Sequence, residues 1–268
     1  MTNVAALVDQ TNVVEGWKAA TSFLRHSPRR SCSNLIYAIT DPSSMTTDGN
    51  NIMQMASTFA KEAGIGDVTT VANTIFPLDI YLKGGADALY NDYPTTVYPR
   101  VKTAWGNYFD RMIRRRDAKG KVINGVDGSP INPLATVVAK IGRKVNSGNG
   151  TLNHYEMVIA DEGYELTTYL AERDANFQRG GPCLSHISFK LDDQKRIRLT
   201  AIYRSHYYLE RALGNLVGLA RLQAFVAAEV GAGIGPLTCH AVHATLVSSL
   251  PGAGPAKVTR LLDDCGIK

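Results

Sequence analysis

The chain has no closely spaced cysteine pair. Its four cysteines, Cys32, Cys183, Cys239 and Cys265, are scattered through 268 residues. Without CxxC or another short ligand spacing no metal site is expected, and a chain this long does not need a disulfide framework. A reducing, cytoplasmic setting is the expectation. Long apolar runs are also missing: none approaches the ~18 residues of a membrane span, so no membrane contact is expected. The opening MTNVAALVDQTNVVEGWKAA is acidic and amphipathic, not basic and then apolar as a secretory signal is. No repeat, low-complexity tract or linker interrupts the chain, so residues 1–268 are expected to form one domain.

What is present is ordinary for a globular protein: 44% hydrophobic and 20% charged residues. That length can bury roughly three quarters of the surface of the unfolded chain. A net charge of +5 suits an anionic ligand such as a phosphate ester. Charge alone is a weak sign of nucleic-acid binding, and no polymeric nucleic acid is expected as a partner.

Apolar residues at helical spacing predict a helix over 3–26, stopped by Pro28. Residues 34–40 read as a strand. Arg29 and Arg30, just before it, suit either a solvated loop or a phosphate held by bidentate bonds. Helical patterns follow at 51–63, 101–116 and 134–145, and a Pro77 break and a Gly84-Gly85 stop divide an apolar stretch from 67. Residues 93–100 read as an irregular loop and 117–133 as a turn-rich excursion. The arginines at 111, 114, 115 and 116 fit a solvated helix end favoured by the macrodipole. Residues 156–160 form a short apolar run, and 164–173 suit strand or helix.

The stretch from Gly181 to Thr245 says most. Alternation at 187–191 and 197–203 about Asp192-Asp193-Gln194-Lys195 predicts a β-hairpin. Its first strand follows Pro182-Cys183 and its second ends at Arg204-Ser205. A long apolar helix over 209–230 carries Asn215, and a strand with His240 and His243 follows. A lone cysteine is most often a buried, inert side chain. A guanidinium beside Cys183 would lower its pKa and favour the nucleophilic thiolate, and Arg204 is placed to return to it.

The order Pro182-Cys183, two strands, Arg204-Ser205, Gly214-Asn215, Gly235 and His243-Ala244-Thr245 resembles thymidylate synthase and the related pyrimidine nucleotide hydroxymethylases. That family reads Pro-Cys-His, then Gln-Arg-Ser-x-Asp, Leu-Gly-x-Pro-Phe-Asn, and Gly-Gly-Asp-x-His-x-Tyr. Here Arg204 follows Cys183 by 21 residues, Asn215 follows Arg204 by 11, and Gly235 follows Asn215 by 20. The likeness covers about 65 residues.

It implies an α+β fold, a mixed β-sheet with flanking helices, assembled as a homodimer in which one of Arg111, Arg114, Arg115 or Arg116 crosses the interface. It implies an enzyme of nucleotide biosynthesis that transfers a methyl or hydroxymethyl group to C5 of a pyrimidine nucleoside monophosphate. Cys183 would add to C6, and 5,10-methylenetetrahydrofolate would be the carbon donor. Arg204, Ser205 and Arg30 (or Arg29) would hold the phosphate, Asn215 the O4/N3 edge of the base, and His243 the sugar. Tyr108 resembles the active-site tyrosine. A carboxamide at 215 favours uracil over cytosine, for which the family uses Asp.

The departures concentrate where folate binds. Tyr207 replaces the Asp after Arg-Ser, Tyr203 the Gln, Leu184 the His after Cys, and Thr245 the last Tyr. The water-organising Glu has no counterpart near Pro77, where Asp79 is the nearest acid. The apolar closing tail is replaced by Asp264-Cys265-Gly266-Ile267-Lys268. A folate-independent nucleotide-binding protein of the same fold is one alternative. A hydrolase pairing Cys183 with His240 or His243 is another.

Overall fold

The computed structural model describes residues 4–102, 107–117, 121–148, 155–159, 182–247, 250 and 252–268. The expectations for 164–173, Trp105, Gly106 and Gly181 lie outside them. The described architecture is α+β, built on a seven-stranded mixed sheet.

The strands are β1 (Ala5–Ala6), β2 (Ser31–Ile39), β3 (Glu156–Val158), β4 (Leu184–Leu191), β5 (Arg196–Tyr203), β6 (His206–Tyr207) and β7 (Gly233–Thr245). Their order is β1-β2-β7-β5-β4-β3, with β6 continuing beside β7. The expected hairpin is β4–β5, antiparallel, turning where Asp192 Oδ1 accepts from the N–H of Gln194 and of Arg196. β5 and β7 run parallel, so the chain between them must cross over, and the long helix makes that crossing.

Alternation divides the sheet into two faces. Leu35, Tyr37, Ile39, Leu199, Ala201, Tyr203, Leu237, Cys239 and Ala241 are buried on one, beneath the helices. Asn34, Ile36, Thr200, Ile202, Thr238 and His240 on the other are only half-buried, and Val242 is exposed.

The main helices are α1 (Val13–His26), α2 (Thr47–Glu62), α3 (Val68–Ile75), α4 (Leu78–Asp87), α5 (Pro133–Ser147), α6 (Leu213–Val230) and α7 (Pro255–Asp264). Side-chain caps fix several starts: Asn12 accepts from Val14 and Glu15 N–H, Thr46 from Gly49, Asp67 from Thr70 and Asn132 from Ala135. The cap at Asn12 corrects the expected helix over 3–26. Its first residues instead form β1 alongside β2, with Leu7 N–H on Ile36 O.

The apolar stretch after Asp67 divides at Pro77 into α3 and α4, and non-helical backbone at Gly84 and Gly85 interrupts α4. Residues 93–100 are not irregular, since short helices cover Tyr93–Thr96 and Tyr98–Val101. The helix expected over 101–116 is described only as Phe109–Ile113, after which Arg114 is extended. The arginines are not a solvated helix end. Arg116 Nε lies 2.8 Å from the buried Asp110 carboxylate with its guanidinium over Tyr98, and Arg114 Nη2 donates to Tyr90 O at 2.6 Å.

The long helical segment Tyr208–Val230 has the length and apolarity to cross a membrane, contrary to the expectation that no run comes close. Of its most apolar window, 78% is buried inside the protein, against α3, α5 and the sheet. Its π-helical start, Tyr208–Ala212, leads into α6, and Gly231 closes it in the left-handed conformation. Buried Gln223 pins α6 to the sheet by donating to Ile197 O at 2.7 Å and Gly235 O at 2.8 Å. Gly214 and Gly218 allow α3 to lie against it. A Cβ on Gly218 would sit 2.7 Å from Ala72 O and 2.9 Å from Ile75 Cβ. Gly218→Ala is therefore expected to destabilise by about 1–3 kcal/mol, the cost of overpacking a closed core. Urea unfolding should show a lower midpoint at unchanged m-value.

Candidate active site

The sheet register brings the sequence candidates to one end. Leu184 pairs with Tyr203 and Tyr203 with Ala241, while β7 continues past Ala241 between the start of β2 and β6. Cys183 precedes β4, Arg204 and Ser205 follow β5, His243 lies near the end of β7, and Arg30 immediately precedes β2. All five share that edge of the sheet.

Cys183 and Arg204 are held side by side by one further rung, Arg204 N–H to Cys183 O at 2.8 Å. The guanidinium turns back over the same turn, with Nε and Nη2 donating to Pro182 O at 3.2 and 2.9 Å. The expected lowering of the Cys183 pKa is only part of the balance. Burial pushes the half-buried thiol above its usual value, and the Arg204 and Arg211 charges pull it back without cancelling that rise. The thiol form therefore dominates at neutral pH, which corrects the expectation that a neighbouring guanidinium leaves the Cys183 pKa lowered.

Tyr108 is buried within electrostatic reach of the Cys183 thiol. The amide N–H groups of Leu184 and Cys183 stabilise its phenolate form, but burial prevails and pushes its pKa up to about 12. It is a neutral phenol, a donor as well as an acceptor.

Asn215, in the first turn of α6, is buried. Its Nδ2 lies 3.0 Å from Nε2 of His206. His206 is itself buried and stacked flat on Tyr203, with ring centroids 4.0 Å apart. Its Nδ1 faces Cys239 Sγ at 3.9 Å. Burial lowers the His206 pKa to about 3, so the imidazole is neutral.

Arg29 and Arg30 are exposed, and both adopt left-handed backbone, with φ of 55° and 51°. Non-glycine residues rarely adopt it, and such strain gathers at binding sites. The conformation is held on both sides: Arg30 N–H donates to Ser27 O, and Arg30 O accepts from Leu246 N–H just beyond β7. Ser205 is half-buried, between the ends of β5 and β6. His243 is exposed, its Nε2 3.1 Å from Thr245 Oγ1.

Neither histidine of the hydrolase alternative bonds to the thiol among the described residues. His240 lies on the half-buried face of the sheet against Asn34, at 3.1 Å. Asp79, the nearest acid to the missing Glu, acts electrostatically on Arg221.

Sequence reading missed Arg211 and His206. Arg211 is four residues before Asn215, a helical spacing that was available as a signal. It stands where the family has the glycine of Leu-Gly-x-Pro-Phe-Asn. His206 occupies the unspecified position after Arg-Ser, where nothing marked it.

No model of a known protein family matches the chain. Among curated proteins, it is similar to a "Putative thymidylate synthase" of Methanothermobacter thermautotrophicus, 43% identical over 63 residues. A protein of the same name from Methanothermobacter marburgensis is 40% identical over 63 residues. Each match covers 24% of this chain and 28% of the relative. The resemblance to thymidylate synthase thus has support over about a quarter of the chain.

Alkylation of Cys183 by iodoacetamide, followed by peptide mass spectrometry, reads the balance at the thiol. The rate is expected to rise about tenfold per pH unit from pH 7 to 9, because the thiolate alone reacts. Arg211→Gln removes a charge that favours the thiolate, so it should slow alkylation at pH 8. A faster rate would contradict the assigned field.

Proposed function

We propose that the chain is a pyrimidine nucleotide C5 one-carbon transferase of thymidylate synthase-like fold, with Cys183 as nucleophile. The observation that carries this reading is the backbone rung from Arg204 to Cys183 at 2.8 Å, with the Arg204 charge acting on the thiol, at the sheet end that also bears Arg30, Ser205 and His243. The names of the partial relatives support the same class.

In this reading Arg204, Ser205 and the exposed Arg30 hold the phosphate, and His243 contacts the sugar. Arg204 uses Nε and Nη2 on Pro182 O, and among the described residues Nη1 is left for an anion. Asn215 meets the O4/N3 edge of the base. Cys183 loses its proton as the nucleotide binds, and the sulfur adds to C6. The electron pair of the C5–C6 bond then moves to C5, which becomes nucleophilic toward a one-carbon electrophile. Loss of the C5 proton and elimination of the sulfur restore the ring. Tyr108, a neutral phenol against Cys183, is placed to donate to or accept from the reacting base.

Folate is the donor the resemblance implies, but the residues present do not fit it. Tyr207 stands at the position of the folate-holding Asp, and the final residues are packed elsewhere. Cys265 and Ile267 are buried, Lys268 O accepts from Ser22, and Arg25 on α1 donates to Ile267 O. The described residues thus support the nucleotide half of the chemistry better than the donor half. A formaldehyde-level one-carbon unit leaves a hydroxymethyl group after these steps, and a methyl product needs a further hydride, so hydroxymethyl is preferred to methyl as product. The same misfit supports the second reading, a nucleotide-binding protein of this fold without the transfer chemistry.

A homodimer, single-domain organisation and a cytoplasmic location belong to the same proposal. The half-buried sheet face around Ile36, Ile202 and Thr238 is the surface a second copy would cover.

The test is tritium release from 5-tritiated UMP, dUMP, CMP and dCMP, run in parallel with formaldehyde and with methylenetetrahydrofolate as carbon source. Release from one of them is expected, and Cys183→Ala should abolish it while binding persists. No release from any of the four overturns the transferase. Ligand at 100 times its Kd should stabilise the protein by ~2.7 kcal/mol, which reads binding separately.

A further inference from the structure

Tyr203, the last residue of β5, is fully buried, and its hydroxyl has no hydrogen-bond partner among the described residues. A buried donor left unpaired is destabilising, and native cores satisfy nearly all of theirs. Phenylalanine would fill the same space, keep the flat stack on His206 at 4.0 Å and avoid that cost. An orphaned hydroxyl at such a place calls for a partner that the folded chain does not itself supply.

The surroundings of the phenol say where that partner sits. The Tyr203 backbone pairs with Leu184, the residue after Cys183. Its ring lies on the His206 imidazole, whose Nε2 is 3.0 Å from Asn215 Nδ2. Tyr203 is thus set between the thiol and the carboxamide. Burial pushes its pKa well above the usual value, and negative charge on Tyr108, Cys239, Cys183 or Tyr208 would push it further. It is a neutral phenol, able to donate or to accept.

Pyrimidine geometry names the atom. In the transferase reading C6 lies at Cys183 and the O4/N3 edge at Asn215. Between C6 and C4 the ring has only C5, so a hydroxyl between the two side chains reaches the exocyclic group at C4 from the C5 side. An oxygen at C4 has a second lone pair there, beyond the one turned toward N3, and can accept from the phenol. An amine at C4 has a hydrogen there and can donate to it. When the sulfur adds to C6, the C5–C6 electron pair is shared with C4 and O4. A donor at O4 therefore meets charge that grows during the reaction.

We propose that Tyr203 is a substrate-contacting residue: its buried hydroxyl bonds to the exocyclic group at C4 of the pyrimidine, from the C5 side. The inference rests on the reading of a pyrimidine nucleotide site and adds to that site a group from the core of the sheet.

Tyr203→Phe, which removes only the hydroxyl, separates the site from the fold. In urea unfolding of the free protein its midpoint should match or exceed that of the wild type. Calorimetric Kd values for UMP, dUMP, CMP and dCMP should show the tightest binder of the four weakened by about tenfold, the loss of one hydrogen bond away from water. Tyr155→Phe is the control. It removes another buried hydroxyl with no partner among the described residues, on a residue whose carbonyl accepts from Phe189 N–H, further along β4 from Cys183. It should leave the Kd unchanged. A lower midpoint for Tyr203→Phe shows that the hydroxyl has a partner in the free protein, a buried water included, and overturns the proposal. So does an unchanged Kd in Tyr203→Phe, or an equal loss in Tyr155→Phe, and each of these leaves the nucleotide site standing. Failure of all four nucleotides to bind the wild type removes that site, and the proposal with it.

Discussion

The close packing of α6 on α3 and the sheet is the constraint on which the rest depends. Gly214 leaves no room for a side chain, since a Cβ there would sit 2.5 Å from Val71 Cβ and 2.8 Å from Val68 O. The next residue is Asn215, so the contact that closes the core also fixes the height of the carboxamide. Gln223, two turns on, ties the same helix to carbonyls of β5 and β7. The sheet that places Cys183 and the helix that places Asn215 are thereby one rigid unit.

Within that unit, burial and charge act against each other. Two guanidiniums favour the Cys183 thiolate, but the surroundings that exclude water favour the thiol more. A thiol kept protonated in this way is protected from adventitious alkylation and oxidation. The same exclusion of water holds His206 neutral and Tyr108 protonated, so both are hydrogen-bonding dipoles and not charges. The charges stand further out, on Arg204, Arg30 and Arg29, where a phosphate would be met.

Much of this was legible in the chain. Alternation about Asp192 predicted the hairpin, and the intervals from Cys183 to Arg204 and Asn215 placed the main candidates. Helices capped by Thr46 and Asn132 fell close to their apolar periodicity. The failures have local causes. At 3–26 the periodicity was right only after Asn12, whose side chain captures two amide hydrogens and starts the helix there. The arginines near 114 looked solvated because their partners, Asp110 and the Tyr90 carbonyl, lie on other turns of the chain. Arg211 was overlooked although its spacing to Asn215 was in view.

The sequence by itself determined which chemical groups exist and how far apart they lie along the chain: a thiol, a guanidinium, a carboxamide, an imidazole and an amphipathic or apolar pattern to carry each. Those follow from side-chain type and from the periods of strand and helix. Only the tertiary structure decided their protonation and direction. Whether the thiol ionises depends on water removed by residues distant in sequence, and Asn215 meets the buried imidazole of His206, which desolvation keeps neutral. The stretch from Cys183 to Thr245 held the groups. Burial assigned their roles, because the cost of desolvation belongs to the packed environment and cannot be read from the spacing of residues.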